Sequence, residues 1–343
     1  MKANVQKKKI TGNGFLLLIT IALFVVMYVA GMIVFADKGF AKPQMFLNLF
    51  VSNAGLLVIA CGLTIVMITG GIDISVGSVT ALVCMVLADL MENKGVNAYA
   101  AVLVALLIGV AFGIVQGFLV AYLDIQPFIV SLAGMFFARG MTTIVNTNPF
   151  NVANEQFVAL KDTRITIPGM GSVNKLGNYV NAYIEIGVVV ALLVVILLFC
   201  VLRFTKFGRK FYAVGGNSQS ALMLGINVKR TKFFAYLICS VLAGIGGFVY
   251  FMHVGSGSAS HASGMEMNAI ASSIIGGTML TGGVGNIIGT FFGVLSLSTI
   301  QNIVSSAGLD QAWWTGITIA AMLCLFLVVQ SIVMSRKKKL SKG

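Results

Sequence analysis

Ionisable side chains that could take part in catalysis or ion transfer are scarce in the apolar stretches of this chain. Arg139 lies inside one such stretch, and Asp73 and Glu266 lie near the ends of others. A carrier driven by protons or sodium ions usually places several ionisable groups within its membrane helices. So few charges instead favour a pathway for a neutral, polar solute, with Arg139 reaching the outer face or anchoring an outer loop.

Motifs for enzymatic chemistry are missing from the sequence. There is no GxxxxGK[ST] loop to hold nucleotide phosphates and no HExxH pair to bind zinc. The two histidines, His253 and His261, lie in a segment rich in glycine and serine, without neighbouring cysteines. We therefore expect that the chain is not an enzyme, binds no cofactor or metal, and has no energy-coupling site of its own.

The elements that must position these residues are membrane helices. Hydrophobic residues make up 58% of the chain and charged residues 10%, against about 25% charged in soluble domains. Because a membrane helix needs about 20 apolar residues, the long charge-free stretches predict an all-α membrane protein of about ten transmembrane helices. The predicted spans are 14–36, 46–69, 75–90, 98–122, 126–146, 182–202, 233–252, 265–283, 286–307 and 312–335.

Basic residues indicate the orientation of these spans. Sixteen of the 23 lysines and arginines fall in the N-terminal tail 1–13, the loop 203–232 and the C-terminal tail 336–343. Lys and Arg concentrate on the cytoplasmic side of membrane proteins, and an even number of spans places all three segments there. Topology in a lipid bilayer thus explains the net charge of +13, and we expect no binding to nucleic acid.

The whole chain, 1–343, is interpreted as a single membrane domain with one long polar loop, 147–181, on the outer side. This loop is long enough to cap the outer mouth or to meet a soluble partner. A plain connecting role is an equal alternative.

Glycines recur at intervals of four in two predicted spans, which puts them on one helix face and predicts close helix packing. They are Gly109, Gly113 and Gly117 in the fourth span and Gly285, Gly289 and Gly293 in the ninth. The two patterns are 176 residues apart. A shift of five spans predicts two halves of opposite orientation, an inverted 5+5 repeat, with coincidence among 39 glycines as the alternative.

Two glycine-rich segments, 70–78 and 275–286, interrupt the apolar stretches near the inner ends of spans. Non-helical backbone at membrane depth is tolerated only where protein or a water-filled cavity covers it. We therefore predict that both segments lie beside a substrate pathway.

The most informative pattern lies in the basic inner loop, over residues 215–230. Gln, Ser and Ala are followed there by three apolar residues and a glycine, the spacing of the EAA---G motif of ABC importer permeases. This predicts a short helix that fits a groove on a partner protein and ends at a left-handed glycine, or else an ordinary amphipathic loop helix. The candidate coupling residues are Gly215, Gly216, Asn217, Gln219, Ser220, Ala221 and Gly225.

Four segments together resemble the permease subunits of bacterial ABC importers for simple sugars, the ribose and galactose group. They are GGIDISVGSVTAL (70–82), QPFIVSLAGMFFARG (126–140), TKFGRKFYAVGGNSQSALMLGINVKRTK (205–232) and IASSIIGGTMLTGGVGNIIGTFFGVL (270–295). The sequences AGMFFARG and WWTGI (313–317) are most similar to galactofuranose-type permeases. The resemblance covers nearly the whole chain and implies a type II-like ABC importer permease in the bacterial inner membrane, with both termini cytoplasmic.

The resemblance also implies partners. ATP and Mg²⁺ would bind to cytoplasmic ABC ATPase subunits, which contact the permease at 219–225. A second permease subunit, either a different chain or an identical copy, would complete the membrane part. A periplasmic or lipid-anchored sugar-binding protein would deliver the monosaccharide, with galactofuranose, galactose and ribose as the candidates.

Pathway residues are predicted by position within the resembling segments. The candidates for the inner pathway are Asp73, Ser75, Asn286, Gln301 and Asn302. The aromatic candidates Phe128 and Phe136, with Phe137, could stack on a sugar face or pack against other helices, and packing is favoured. A permease for branched-chain amino acids or nucleosides is the nearest alternative, and a channel or ATP-independent carrier is a further one.

Overall fold

The computed structural model describes residues 12–173, 178–309 and 311–340, so the predicted tails lie outside the described residues over 1–11 and 341–343. Most of these residues are helical. In chain order the helices are α1 (Gly12–Val34), α2 (Pro43–Val51), α3 (Ala54–Ile68), α4 (Val76–Glu92), α5 (Ala98–Ala121), α6 (Pro127–Val145), α7 (Glu155–Lys161), α8 (Ile186–Phe204), α9 (Lys206–Gly216), α10 (Ser218–Met223), α11 (Val228–Val254), α12 (Met265–Ile275), α13 (Ile287–Ser306) and α14 (Ala312–Leu340). The strands are β1 (Phe150–Asn151), β2 (Arg164–Val173), β3 (Tyr179–Glu185) and β4 (Ser256–Gly257).

Six of the described helices are long and apolar enough to cross a membrane: α1, α5, α6, α8, α11 and α13. The pair α2 and α3, bent by 51° where they meet, makes a seventh if it counts as one span. Helix α4 has 17 residues and α12 has 11. A chain with several membrane spans is therefore established, while the count of ten and the inverted repeat stay predictions.

Several predicted spans have different bounds in the structure: the span 46–69 is divided into α2 and α3, and the span 312–335 extends to Leu340 in α14. The predicted span 265–283 is wrong beyond Ile275, because Gly277 has φ +86° and left-handed backbone cannot continue a helix. The predicted span 182–202 begins only at Ile186, since strand β3 extends to Glu185. The predicted span 233–252 is longer in both directions and forms α11.

Helix α3 lies at the centre of the molecule. All of its residues are buried, and α8, α11, α12 and α13 pack around it. Its sequence is apolar on every side, which suits a helix enclosed by other helices. The hydroxyl of Thr64 lies 2.9 Å from Ser273 Oγ and 2.7 Å from Thr290 Oγ1, so a small polar contact joins α3 to α12 and α13.

Helix α5 packs closely on α11 through its glycines. A Cβ at Gly113 would lie 2.8 Å from Leu237 Cα, and Gly109 and Gly117 meet the backbone of the same helix about as closely. Side chains at these positions would hold the two helices apart.

Helix α13 packs on the end of α12 in the same way. Cβ atoms at Gly289 and Gly293 would overlap the carbonyl oxygens of Gly276 and Ser272. Gly285 precedes α13 and lies against the side chain of Ile68. Only two glycines of the second predicted pattern therefore lie on the helix.

The predicted loop 147–181 contains regular structure. Strands β2 and β3 form an antiparallel hairpin, with Arg164 opposite Glu185, and α7 precedes it. Strand β1 pairs with β4, with Phe150 opposite Gly257. The described residues of 150–185 thus form a folded unit, which we call the cap, and residues 174–177 lie outside the described part.

Gly113→Ala is expected to lower the midpoint of thermal unfolding of the detergent-solubilised protein by several degrees. The added methyl group presses on the α11 backbone, and overpacking of this kind costs about 1–3 kcal/mol. Gly316→Ala in α14 is the matched control, because nothing lies within 4 Å of a Cβ at that position. Equal midpoints for Gly113→Ala and the unaltered protein would contradict the close packing of α5 on α11.

Candidate functional site

The two glycine-rich segments break helices as predicted, and the breaks lie against each other. The first break, between α3 and α4, covers residues 69–75, and the second, between α12 and α13, covers 276–286. Gly283 N donates a hydrogen bond to Ile68 O at 2.8 Å. The second break therefore closes directly on the end of α3.

Four glycines meet where the breaks touch. A Cβ at Gly282 would lie 2.8 Å from Gly70 N and 2.9 Å from Gly215 O, and a Cβ at Gly215 would overlap Ile68 O. Gly283 is in equally close contact with the end of α9. We call Gly70, Gly215, Gly282 and Gly283 the glycine junction, and through it the basic loop 203–232 reaches both breaks.

A chain of hydrogen bonds joins the first break to α5. Gln116 Nε2 donates to Ser75 Oγ at 2.8 Å, and Ser75 Oγ donates to Asp73 Oδ1 at 2.6 Å. Ser75 N donates to the same carboxylate oxygen at 2.9 Å. All three side chains are buried. The structure thus brings together two of the predicted pathway residues, Asp73 and Ser75.

Gln116 was missed by the sequence analysis, as was Tyr236 on the other side of the first break. The Tyr236 hydroxyl donates to Ile72 O at 3.2 Å and satisfies backbone that the helices leave free. A lone amide in the otherwise apolar sequence of α5 was the signal for Gln116. Nothing local marks Tyr236, because its partner is 164 residues away.

Asn286 lies at the second break, where it caps α13 by accepting a hydrogen bond from Ile288 N at 3.0 Å. With Arg203 and Tyr212 it lines a cavity of about 370 Å³. The Tyr212 hydroxyl donates to Gly285 O at 3.1 Å. Burial raises the pKa of Tyr212, and the charge of Arg203 opposes that shift. Helix α9 therefore holds the second break by a side chain as well as through Gly215.

The remaining pathway candidates lie elsewhere. Gln301 and Asn302 belong to the last two turns of α13, and a separation of fifteen residues from Asn286 is about 22 Å along a helix axis. Phe128 and Phe136 are largely exposed on α6. The structure does not gather the predicted lining into one site.

Arg139 anchors the turn between α11 and α12. Its Nη1 donates to Ala259 O and to His261 O, each at 2.8 Å. The sequence predicted an anchoring role, and the anchored segment is 255–264 rather than the long loop. The His261 ring lies 3.0 Å from Ser256 Oγ, and its burial lowers the pKa of the imidazole.

The candidate coupling segment folds as two short helices that meet at Asn217. This residue ends α9 and caps α10 by accepting a hydrogen bond from Ser220 N at 2.8 Å. Gly225 follows α10 with φ +76°, and Ile226 N donates to Ala221 O at 3.0 Å. Such a left-handed glycine with a backbone bond across it is a common helix ending.

Helix α10 has a buried side and an exposed apolar end. Ala221 is buried, whereas Leu222, Met223 and Leu224 are 63%, 88% and 79% exposed. Gly216, Gln219 and Ser220 are exposed beside them. Adjacent apolar side chains with this exposure are typical of a surface that another molecule covers.

Comparison with known proteins gives one family and several relatives. Residues 45–327 match the family described as branched-chain amino acid transport system / permease component. The inner membrane ABC transporter permease protein YjfF of Escherichia coli is 37% identical over 92% of this chain and 91% of its own. The fructose import permease protein FruG of Bifidobacterium longum is 34% identical over 97% of each chain. The ribose import permease protein RbsC of Escherichia coli is 34% identical over 79% of this chain and 81% of its own. No solved structure matches the chain.

Gly215→Ala is expected to speed amide hydrogen exchange in peptides covering residues 279–285 of the purified protein. The new Cβ displaces Ile68 O, which accepts the hydrogen bond from Gly283 N. Gly216→Ala is the control, since a Cβ at Gly216 meets nothing within 4 Å. Unchanged exchange in Gly215→Ala, measured by mass spectrometry, would contradict the contact between α9 and the two breaks.

Proposed function

The chain belongs to the branched-chain amino acid transport system / permease component family, and from this membership we propose that it is the membrane-spanning permease subunit of an ATP-driven importer for a monosaccharide. Two relatives, each aligned with this chain over more than four-fifths of its own length, are named for fructose and ribose import. The scarcity of charge in the apolar segments supports a neutral solute over a zwitterionic amino acid. Galactofuranose, galactose and ribose are the sugars proposed from the sequence.

The proposed topology has ten spans and cytoplasmic termini in the bacterial inner membrane. The spans are the six long helices, the bent pair α2–α3, α4, α12 with the break that follows it, and α14. The basic residues of 203–232 and of the two tails support this orientation. The inverted 5+5 repeat is part of the same proposal.

In this proposal, α9 and α10 receive the movement that ATP hydrolysis drives in the partner subunits. The chain itself binds no cofactor, and ATP and Mg²⁺ bind to cytoplasmic ATPase subunits that cover Leu222, Met223 and Leu224. The observation that carries the proposal is the position of Gly215, near the end of α9, in contact with Ile68 just before the first break and with Gly283 in the second. Displacement of α10 by an ATPase is thereby transmitted to residues 69–75 and 276–286.

The substrate pathway is proposed to pass the breaks. Asp73 and Ser75 supply buried polar groups at the first break, and Asn286 supplies a partly buried one at the second. A sugar-binding protein docks on the side of the cap, and a second permease subunit completes the pathway. Alternating access then consists of opening and closing the pathway on either side of the breaks.

Met223→Glu is expected to reduce radiolabelled monosaccharide uptake to background in cells that carry the complete transporter. A carboxylate in place of an exposed apolar anchor prevents burial in an ATPase groove, because an unpaired charge is costly to desolvate. Tyr99→Glu is the control, since Tyr99 is 78% exposed at the start of α5 and remote in sequence from α10. Immunoblots of the membrane fraction check that both variants are inserted equally.

Two results would contradict the proposal in different ways. Normal uptake by Met223→Glu would overturn the coupling role of α10. Uptake of branched-chain amino acids, and of no sugar in a panel of ribose, galactose and fructose, would overturn the substrate class.

A further inference from the structure

A groove between α5 and α6 has no role in the function proposed so far. It has a volume of about 300 Å³ and is lined by Phe112, Val115 and Gln116 of α5 and by Gly134 and Phe137 of α6, among others. Small-molecule sites in proteins have volumes from about 300 Å³ upward and are mostly apolar with a few placed polar groups. The groove fits that description.

Gln116 is the one polar side chain among the described residues that line the groove. It is 3% exposed, and its Oε1 has no hydrogen-bond partner within the part of the chain that the structure describes. A buried amide oxygen without a partner is unusual in proteins and calls for an explanation.

The hydrogen-bond chain to Asp73 fixes the orientation of this amide. The Ser75 hydroxyl donates its single hydrogen to Asp73 Oδ1 at 2.6 Å, so towards Gln116 it can only accept. Gln116 must then direct Nε2 to Ser75, at 2.8 Å, and keep Oε1 as an acceptor for something else. The missing partner is therefore a hydrogen-bond donor.

Gly134 holds the amide between the two helices. A Cβ there would lie 2.7 Å from Gln116 Nε2 and 3.4 Å from Ser75 Cβ. Any larger residue on α6 would displace the side chain or separate the helices. The close approach of α6 thus serves the position of the amide.

Two aromatic rings complete the groove. The ring centroids of Phe112 and Phe137 are 6.0 Å apart and the ring planes are inclined by 51°. Aromatic faces are apolar surfaces on which the C–H groups of a sugar ring can pack. An acyl chain would suit the rings and leave Oε1 without a donor, and no charged side chain among the described lining residues would pair with a zwitterion.

We propose that the groove between α5 and α6 is a monosaccharide subsite, in which Gln116 Oε1 accepts a hydrogen bond from a sugar hydroxyl while Phe112 and Phe137 pack against the ring. The inference rests on the proposed function, in which a second permease subunit completes the pathway. Oε1 is enclosed in the conformation described, so the contact forms when α5 and α6 separate during transport.

The test compares a sugar with its deoxy analogues in the unaltered protein and in Gln116→Leu. Loss of the hydroxyl that bonds to Gln116 lowers uptake by the unaltered protein about fivefold, the effect of one net hydrogen bond. In Gln116→Leu the same deoxy analogue and the parent sugar are taken up equally well. The binding protein is the same in both arms, so a change in the ratio belongs to this chain.

Two further variants keep the proposal testable if Gln116→Leu fails to reach the membrane. Gln116→Asn keeps the amide, but the shorter side chain moves it away from the groove. We therefore expect the same loss of discrimination between the sugar and its deoxy analogue. Phe137→Leu is expected to weaken uptake of all the sugars several-fold, whereas Phe118→Leu, on the same pair of helices but outside the groove, leaves uptake unchanged.

The outcomes separate the subsite from the function. Unaltered ratios in Gln116→Leu and Gln116→Asn, or an equal loss for every sugar as expected of a structural role or a lipid-filled groove, would overturn the subsite alone. Absence of any monosaccharide uptake by the complete unaltered transporter would overturn the proposed function.

Discussion

Backbone that leaves a helix inside a membrane must find hydrogen bonds within the protein, since the lipid offers none. The proposed topology gives residues 69–75 and 276–286 this position, and in the structure the two segments lie against one another. Gly283 N bonds to Ile68 O, the Tyr236 hydroxyl to Ile72 O and the Tyr212 hydroxyl to Gly285 O. The end of α3 and the end of α9 contribute to this enclosure through Ile68 and the glycine junction.

The same requirement connects the surface to the interior. Helix α9 ends in the glycine junction. Its backbone therefore covers the breaks there, in the place that a water molecule or a side chain would otherwise take. Asn217 then joins α9 to α10 by capping one helix at the end of the other. The exposed Met223 is thereby connected to the buried Ile68 O through the backbone of α10, Asn217 and the end of α9.

Features set by local sequence were predictable, and features set by distant contacts were not. Charge-free length predicted the membrane helices, glycine clusters predicted both breaks, and the pattern ending at Gly225 predicted a short helix with a left-handed end. The hairpin in the cap was missed because the loop was judged by its polarity, although YVNAYIE has the aromatic and β-branched content of a strand. The contacts of Gly282 with Gly70 and with Gly215 join residues that are far apart in the sequence, and no local pattern encodes them.

The turn 255–264 is held from two directions at once. Strand β4, at the start of the turn, pairs with β1 in the cap. Arg139 of α6 donates hydrogen bonds to the carbonyl oxygens of Ala259 and His261. The turn leads directly into α12 and so into the second break. The cap and α6 therefore both contact the turn that precedes α12, while α9 contacts the break that follows it, so the two ends of α12 are tied to different parts of the protein.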